Sequence, residues 1–273
     1  MVSGTESSPS ISSEPIPELG VPGLISVLVL CCGQLEYTRL CVPSVLKFAR
    51  LPFEVIAVDS GALDGTAEYW AGIQAAATSR VEIVCSSVET DLVSALQAGL
   101  SYARGESVVL LDNDTIVPSG WLAQMAALLN TDSAVGMVGS MTNYGPAHQV
   151  VWPVPYKLGM KTGDILGAEY IGAQVEIVNR FAQEWRESHR GQWSGTDRLG
   201  GGCVMIRRSV LRLVGAIPRA PLRFFDPEAL SRRVVEVGFR LACCRDLFVH
   251  SFGSRAAERI ETGVSAHPNR VEQ

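Results

Sequence analysis

The chain has 273 residues, enough for one large domain or two small ones, since domains commonly contain about 100–200 residues. Hydrophobic residues make up 47% and charged residues 19%, a composition that excludes disorder over most of the length. Lys and Arg number 23 against 28 Asp and Glu, and the resulting charge of -5 argues against binding nucleic acid or an anionic membrane, which need clustered cations. The seven cysteines contain no CxxC pair, so neither a disulfide framework nor a zinc site is indicated.

The two ends of the chain differ in composition from its middle. Residues 1–22 are rich in Ser, Pro and Glu and predict a disordered N-terminal tail, and 256–273 predict a polar C-terminal tail. The longest apolar run, Ile25 to Cys32, is far shorter than the roughly 20 residues that cross a bilayer. We therefore expect no membrane span and a cytoplasmic protein, with peripheral attachment at the inner face of the membrane as the alternative.

Short apolar runs alternate with amphipathic stretches over the first half of the chain. Alternation of this kind predicts an α/β fold that is Rossmann-like, with a central, mostly parallel sheet flanked by helices on both faces. Ligands of such folds bind at the carboxyl ends of the strands. The predicted strands are Ile25–Cys32, Phe53–Val58, Val81–Cys85 and Val108–Leu111, and the predicted helices are Val42–Ala49, Thr66–Ala77 and Leu92–Ala103.

The second half predicts fewer strands and a long connection. Asn143–Gly172 has no clear period and predicts an excursion over the surface, and loops of that length are often functional. Asp226 and Pro227 are typical of an N-cap followed by the first helical residue. The other predicted elements are a helix from Pro118, strand Ala134–Ser140, helix Ala173–Arg190, strand Gly200–Arg207, a helix from Pro227 to Gly238 and strand Phe239–His250.

Two carboxylates, Asp112 and Asp114, follow the carboxyl end of a predicted buried strand. Two acids placed so closely repel each other, and a divalent cation with a sugar hydroxyl would relieve that repulsion. The alternative is that both acids cap the turn before Pro118. Asp59 ends another predicted strand and adds a third carboxylate, whereas Asp64 is better explained as a helix cap.

These residues belong to five phrases whose order along the chain resembles that of nucleotide-sugar glycosyltransferases of the GT-A fold, specifically inverting glycosyltransferase family 2. The resemblance runs from about Ser26 to Ser254 and implies one domain over 23–255, with a nucleotide-binding half, 23–117, and an acceptor-binding half, 118–255. The phrases are Ser26–Leu30, Phe53–Thr66, Gly105–Val117 with its Asp-x-Asp, Gly201–Arg208 and Phe248–Ser254.

The resemblance implies a role for each matching residue. Asp59 would hold the nucleobase, Asp112 the ribose, and Asp114 a divalent metal, Mn²⁺ or Mg²⁺, that bridges the donor diphosphate. His250 would be a second metal ligand, although a hydrogen-bonded histidine at the sheet end is the alternative reading. The remaining donor-site residues that the resemblance implies are Cys32, Asn113, Gly201 and Gly202, the last two of which could equally form only a tight bend.

The implied reaction moves a sugar from a nucleotide diphosphate to a hydroxyl of a glycan, a lipid-linked glycan or a protein, with inversion and divalent-metal assistance. UDP-linked donors are favoured, and dTDP- and GDP-linked donors stay open. A carboxylate must remove the acceptor proton, but Pro227 and Ala229 stand where the family usually has acids. Asp226 and Glu228 are the candidates for this base, with an N-cap and a first-turn acid as their structural alternatives.

Other interpretations compete with this one. A relative that has lost its base would act only as a nucleotide-sugar or glycan binding module. The Asp-x-Asp also resembles that of aspartate-nucleophile phosphatases, but Ile116 stands where those have Thr, and the absence of GxGxxG argues against a dehydrogenase. Aromatic residues suited to sugar stacking are Trp152, Tyr156, Trp185 and, with most reason, Trp193 beside the glycine run, whereas Arg232 and Arg233 predict a solvated helix face.

Overall fold

The computed structural model describes residues 20–85, 92–159, 167–217 and 226–253. In this part of the chain nine strands form a mixed sheet, in the order β3-β2-β1-β4-β8-β6-β9, with β5 and β7 each pairing with β9. The strands are β1 Val21–Cys31, β2 Phe53–Asp59, β3 Val81–Cys85, β4 Gly105–Asp112, β5 Thr115–Ile116, β6 Val135–Thr142, β7 Trp193–Thr196, β8 Cys203–Arg207 and β9 Arg240–Ser251.

The first four long strands are parallel, as the alternating pattern predicts. β1 lies between β2 and β4, and its register pairs Cys31 with Asp59 and Leu30 with Asp112. Both carboxylates therefore leave the sheet at the same edge, one on each side of the end of β1.

The other half of the sheet is mixed, because β8, β5 and β7 run opposite to β4, β6 and β9. β8 runs antiparallel to both β4 and β6, and β6 is parallel to β9. The short strand β5 pairs antiparallel with the end of β9, through Thr115 with Ser251 and Ile116 with His250. This pairing brings the segment after β4 against the last strand.

Helices flank the sheet and bury their apolar sides against it. β1, β2 and β4 are buried along most of their length, and Trp70 and Trp121 are fully buried beside them. No helix in the described ranges is long and apolar enough to cross a membrane. The helices are α1 Leu35–Phe48, α2 Thr66–Ala76, α3 Leu92–Tyr102, α4 Trp121–Asn130, α5 Ala168–His189, α6 Arg208–Val214 and α7 Pro227–Glu236.

Several boundaries differ from the sequence prediction. β1 begins at Val21, inside the predicted tail 1–22, and pairs there with Gly105. α1 begins at Leu35 rather than Val42, and β7 replaces part of a connection that the sequence left without structure. α5 begins at Ala168, which shortens the predicted excursion. Residues 1–19 of the predicted N-terminal tail, residues 160–166 of the excursion and the predicted tail 256–273 lie outside the described residues.

Candidate active site

The carboxylate of Asp59 is held in the turn that follows β2. Its Oδ1 accepts hydrogen bonds from the backbone N–H groups of Gly61, at 3.2 Å, and Ala62, at 3.1 Å. The backbone N–H of Ser60 donates to the carbonyl of Cys31 at 3.2 Å, which ties this turn to the end of β1. Asp59 is 1% exposed, so its carboxylate has a fixed direction at the edge of the sheet.

Asp112 and Asp114 lie close enough to influence each other's ionisation. Burial and the charge of Asp114 together raise the pKa of Asp112 to about 7. The thiol of Cys32 lies near the same carboxylates. Burial raises the pKa of this thiol most, and the charges of Asp112, Asp59 and Asp114 raise it further, to about 12. The predicted residues Cys32, Asp59, Asp112 and Asp114 thus lie near one another, and we call them the donor crevice after the role that the sequence analysis expects of them.

Asn113 is predicted to contact the donor, but its side-chain amide is hydrogen-bonded to other groups of the protein. The Nδ2 group donates to the carbonyl of Gly33 and to the hydroxyl of Thr38, both at 2.8 Å, and the residue is 4% exposed. Its backbone N–H donates to Leu30 at 3.1 Å. Asn113 therefore fixes the turn between the two aspartates to the ends of β1 and α1.

His250 lies in β9, opposite Ile116 of β5. The backbone N–H of Phe252 donates to the carbonyl of Asp114 at 2.9 Å, which ties the turn that carries Asp114 to the end of β9. Burial lowers the pKa of His250 to about 3, so the imidazole is neutral at physiological pH, the form that binds metals.

Glycine is required where the chain passes Asp112. A Cβ at Gly202 would lie 2.8 Å from the Thr115 methyl and 3.0 Å from both Cβ and Oδ2 of Asp112. The carbonyl of Gly202 accepts from the backbone N–H of Asp112 at 2.8 Å. Gly201 has a φ of 77°, a left-handed conformation that suits glycine. The run Gly200–Gly202 is therefore a close approach of backbone to the donor crevice.

A cavity opens beside this glycine run. It has a volume of about 540 Å³, and we call it the α7 pocket. The loop after β6, the glycine run and the first turn of α7 all contribute to its wall. Its lining residues are Asn143, Tyr144, Gly145, Pro146, Val150, Gly200, Gly201, Asp226, Pro227 and Glu228.

The two candidate bases on this wall differ in the hydrogen bonds and ion pairs that they make. Asp226 is the N-cap of α7, and its Oδ1 accepts from the backbone N–H groups of Glu228, at 2.9 Å, and Ala229, at 3.0 Å. Its Oδ2 lies 3.9 Å from the exposed guanidinium of Arg232. Glu228 Oε1 lies 3.7 Å from the position of a Cβ on Gly200, beside the glycine run. The geometry favours Glu228 as the carboxylate that is available to a ligand.

The predicted aromatic residues separate into different environments. Trp193, the favoured stacking candidate, lies at the start of β7 and is 51% exposed, and Trp152 is also exposed. Tyr156 instead packs beneath His250, with its hydroxyl 2.9 Å from Nδ1. Trp185 stacks on His189. Among these side chains, Tyr156 is the one in direct contact with a predicted site residue.

Sequence reasoning missed Tyr144 and Gln149, both in the loop after β6. Tyr144 lines the α7 pocket and packs against Gly253, and Gln149 bonds to Gly200. A tyrosine in a predicted surface loop can indicate a binding residue, and this signal could have identified Tyr144. Nothing near Gln149 in the sequence marks the second, because its partner is 51 residues away.

Solved structures with this architecture contain sugar nucleotides. The mannosyltransferase PcManGT of Pyrobaculum calidifontis, in complex with GDP-Man and Mn²⁺, matches 92% of this chain and 61% of its own, with a TM-score of 0.57 and 18% identity. S. aureus TarS 1–349 in complex with UDP-GlcNAc matches 89% of this chain and 62% of its own, with a TM-score of 0.55 and 14% identity. The fold is that of the GT-A glycosyltransferases.

The sequence comparison gives the family. The Glycosyl transferase family 2 profile matches residues 26–214, and the chain belongs to that family. Glycosyltransferase GlyG of Streptococcus pneumoniae is 26% identical over 163 residues, which cover 60% of this chain and 52% of the relative. The y4gI protein of Sinorhizobium fredii is 24% identical over 247 residues, which cover 89% of this chain and 26% of the relative. The chain therefore spans about half of one relative and about a quarter of the other.

Proposed function

We propose that this glycosyltransferase moves a sugar from a nucleoside diphosphate donor, with inversion, to a hydroxyl of a glycan, a lipid-linked glycan or a protein. One observation carries the proposal: the glycine run lies against Asp112 at Gly202 and lines the pocket that carries Glu228 at Gly200 and Gly201. An enzyme that joins two substrates needs two adjoining sites, and the reacting atoms meet where the sites touch. The donor occupies the crevice and the acceptor the α7 pocket.

In the donor crevice each carboxylate has a distinct task. Asp59, held by two backbone N–H groups, accepts hydrogen bonds from the nucleobase, and Asp112 accepts from a ribose hydroxyl. Gly202 lets the backbone pass close to Asp112, since a Cβ at this position would lie 3.0 Å from Asp112 Oδ2. UDP is the first nucleotide to test, and GDP and dTDP are compared with it.

The residues present suit a divalent cation whose remaining ligands would come from the donor. Asp114 offers a carboxylate oxygen and His250 a neutral imidazole nitrogen, a mixed set that suits Mn²⁺ better than Ca²⁺. Within the described ranges, no group of three or more His, Cys, Asp or Glu side chains is arranged to hold a metal. Diphosphate oxygens and water must supply the remaining ligands, so metal and nucleotide bind together. When bound, the cation stabilises negative charge on the departing diphosphate.

On the acceptor side Glu228 removes the proton from the attacking hydroxyl. Its carboxylate lines the pocket beside Gly200, whereas one oxygen of Asp226 is occupied by the cap of α7. Positioned general bases of this kind contribute about 10²–10⁴-fold to rate. The proton passes from the hydroxyl to Glu228 as the oxygen attacks the anomeric carbon and the nucleoside diphosphate departs.

Calorimetric titration of UDP, GDP and dTDP, with and without Mn²⁺, tests the donor site. We expect tight binding of one nucleotide only with the metal, and at least a tenfold loss of that affinity in Asp114→Ala. Release of the nucleoside diphosphate from a panel of sugar nucleotides then tests transfer. If no nucleotide binds, or Asp114→Ala changes nothing, the proposal is wrong.

Two conservative variants assign the base. Glu228→Gln should lower kcat by about 100-fold or more without changing nucleotide affinity, because the amide cannot take the proton. Asp226→Asn is the matched control and should keep most activity, since asparagine caps helices as well as aspartate does. Full activity in Glu228→Gln would reject this assignment, and metal-dependent binding without turnover over a broad acceptor panel would instead indicate a binding module.

A further inference from the structure

The peptide between Leu199 and Gly200 is bonded by two side chains from different elements. Gln149 is fully buried, and its amide bonds to Gly200 in both directions: Oε1 accepts from the Gly200 N–H at 2.8 Å, and Nε2 donates to the Gly200 carbonyl at 3.2 Å. The same Nε2 donates to the carbonyl of Ser140, in β6, at 2.8 Å. Both donors and the acceptor of this amide are therefore used.

Ser231, on α7, bonds to the preceding residue in the same reciprocal way. Its hydroxyl accepts from the Leu199 N–H at 3.0 Å and lies 3.1 Å from the Leu199 carbonyl, within donating distance. It is also 2.8 Å from the carbonyl of Pro227, one helical turn earlier. Ser231 is fully buried. We call Gln149 and Ser231 together the polar clamp.

The polar clamp supplies the backbone hydrogen bonds that a paired strand would otherwise make. β8 begins only at Cys203, so the chain at Leu199 and Gly200 has no regular pairing there. Buried backbone polar groups need partners, and an unmade bond costs about 1–3 kcal/mol. An apolar side chain could fill the space of Gln149 but could not hold this backbone in one place.

The held segment connects both halves of the proposed site. Downstream, the carbonyl of Gly202 accepts from the backbone N–H of Asp112, at the donor crevice. On the other side, Ser231 belongs to α7, which is capped by Asp226 and carries Glu228 in its first turn. A shift of the segment would therefore change the separation of Glu228 from the donor crevice without removing either group.

We propose that Gln149 and Ser231 are positioning residues that set the distance between the acceptor base and the donor. This inference rests on the proposed function, because it assigns the clamp a role in sugar transfer. Misplacement of reacting groups by about 1 Å can cost about 100-fold in rate. Loss of one side of the clamp should thus lower kcat more than it weakens nucleotide binding.

Ser231→Ala removes one hydroxyl, and Gln149→Leu removes the amide at similar volume. In each we expect kcat to fall about tenfold or more, with the Kd for the nucleoside diphosphate and Mn²⁺ within about twofold of wild type. The double variant should lose less than the product of the single losses, because both side chains hold one segment.

Ser26→Ala is the matched control. Its buried hydroxyl also bonds to a backbone N–H, that of Gly105 at 2.8 Å, but at the opposite end of the sheet. It should lower Tm as Ser231→Ala does while kcat stays near wild type. If Ser231→Ala and Ser26→Ala have the same kcat at similar Tm, this inference is wrong, but the proposed function still stands. A wild-type enzyme that transfers no sugar would overturn the proposed function itself.

Discussion

The hydroxyl of Tyr156 is hydrogen-bonded to Nδ1 of His250. It lies 2.9 Å from Nδ1, and the two rings are in contact with centroids 5.6 Å apart. When Nδ1 carries the proton and donates to the tyrosine oxygen, Nε2 presents its lone pair to a metal. Partners of this kind orient metal-binding histidines and keep them in one tautomer.

Tyr156→Phe should therefore weaken Mn²⁺ binding by about tenfold, the lower end of the range seen when such partners are removed. The ring and its edge contact with Phe181 are retained, so Tm should change little. Electron paramagnetic resonance of free and bound Mn²⁺, with saturating nucleoside diphosphate, measures the affinity. Tyr102→Phe, which removes a half-exposed hydroxyl at the end of α3, is the control. Equal Mn²⁺ affinity in the two variants would show that Tyr156 does not orient His250.

Single residues differ in how far sequence predicts them. Asp59 and Asp112 were placed correctly at the edge of the sheet because strand ends are visible as the end of an apolar run. Asp226 was ambiguous because a helix cap and a base before a helix have the same residue type at the same position. The role of Gln149 could not be predicted because it depends on a segment that is distant in the chain.

At the scale of elements, α1 begins at Leu35, well before its predicted start at Val42. In the structure Pro43 lies well inside Leu35–Phe48, where it removes one backbone hydrogen bond. The buried side of α1, which includes Leu40 and Val45, compensates for that loss. β7 was missed because four residues, Trp193–Thr196, are too short to show a period.

The entry into β8 gives a prediction at this scale. Gly202→Ala would place a methyl 2.8 Å from Thr115 Cγ2 and 3.0 Å from Asp112 Oδ2, so the turn carrying Asp112 must move. We expect nucleotide affinity to fall by about tenfold, measured by calorimetry with Mn²⁺. Gly195→Ala in β7 is the control, since nothing lies within 4 Å of its Cβ position. Unchanged affinity in Gly202→Ala would mean that the donor does not use this approach.

Across the whole molecule, the strand pairing of the parallel half of the sheet was predictable, whereas in the other half the strands β6, β8 and β9 were predicted but their pairing was not. Each βα unit in the first half is local in sequence, and parallel pairing follows from its connections. The insertion of β8 between β4 and β6 joins segments that are far apart in the chain, and no local pattern encodes it. The α7 pocket depends on that insertion, and of its lining residues only Gly201, Asp226 and Glu228 were predicted site residues, each through a family resemblance.

The two ends of the sheet differ in how their buried acids are compensated. At the carboxyl end, burial and the charge of Asp114 raise the pKa of Asp112 to about 7. At the amino end Glu54 is 1% exposed yet fully paired, with Ser26, Arg80 and Arg104 donating to its two oxygens. Burial alone would raise the pKa of Glu54, but these hydrogen bonds outweigh it and lower the pKa below its ordinary value.

Glu54→Gln should lower the free energy of unfolding by about 2 kcal/mol at pH 7, because it leaves cationic donors without their carboxylate. A lowered pKa stabilises the fold above the pKa of the unfolded chain, and this stabilisation is lost as pH falls through the folded value. The difference between wild type and variant should therefore be largest near neutral pH and shrink below about pH 4.5. Urea unfolding at several pH values measures it.

Glu82→Gln is the control, since Glu82 pairs with the same Arg80 at 2.8 Å but is 33% exposed in its side chain. Its effect should stay below about 1 kcal/mol, as for other surface ion pairs. Nucleotide affinity should be unchanged in both variants, because Glu54 lies at the end of the sheet opposite the donor crevice. A loss of nucleotide affinity in Glu54→Gln would show that the two ends are coupled, and a pH-independent stability difference would show that Glu54 is not the ionised partner of these arginines.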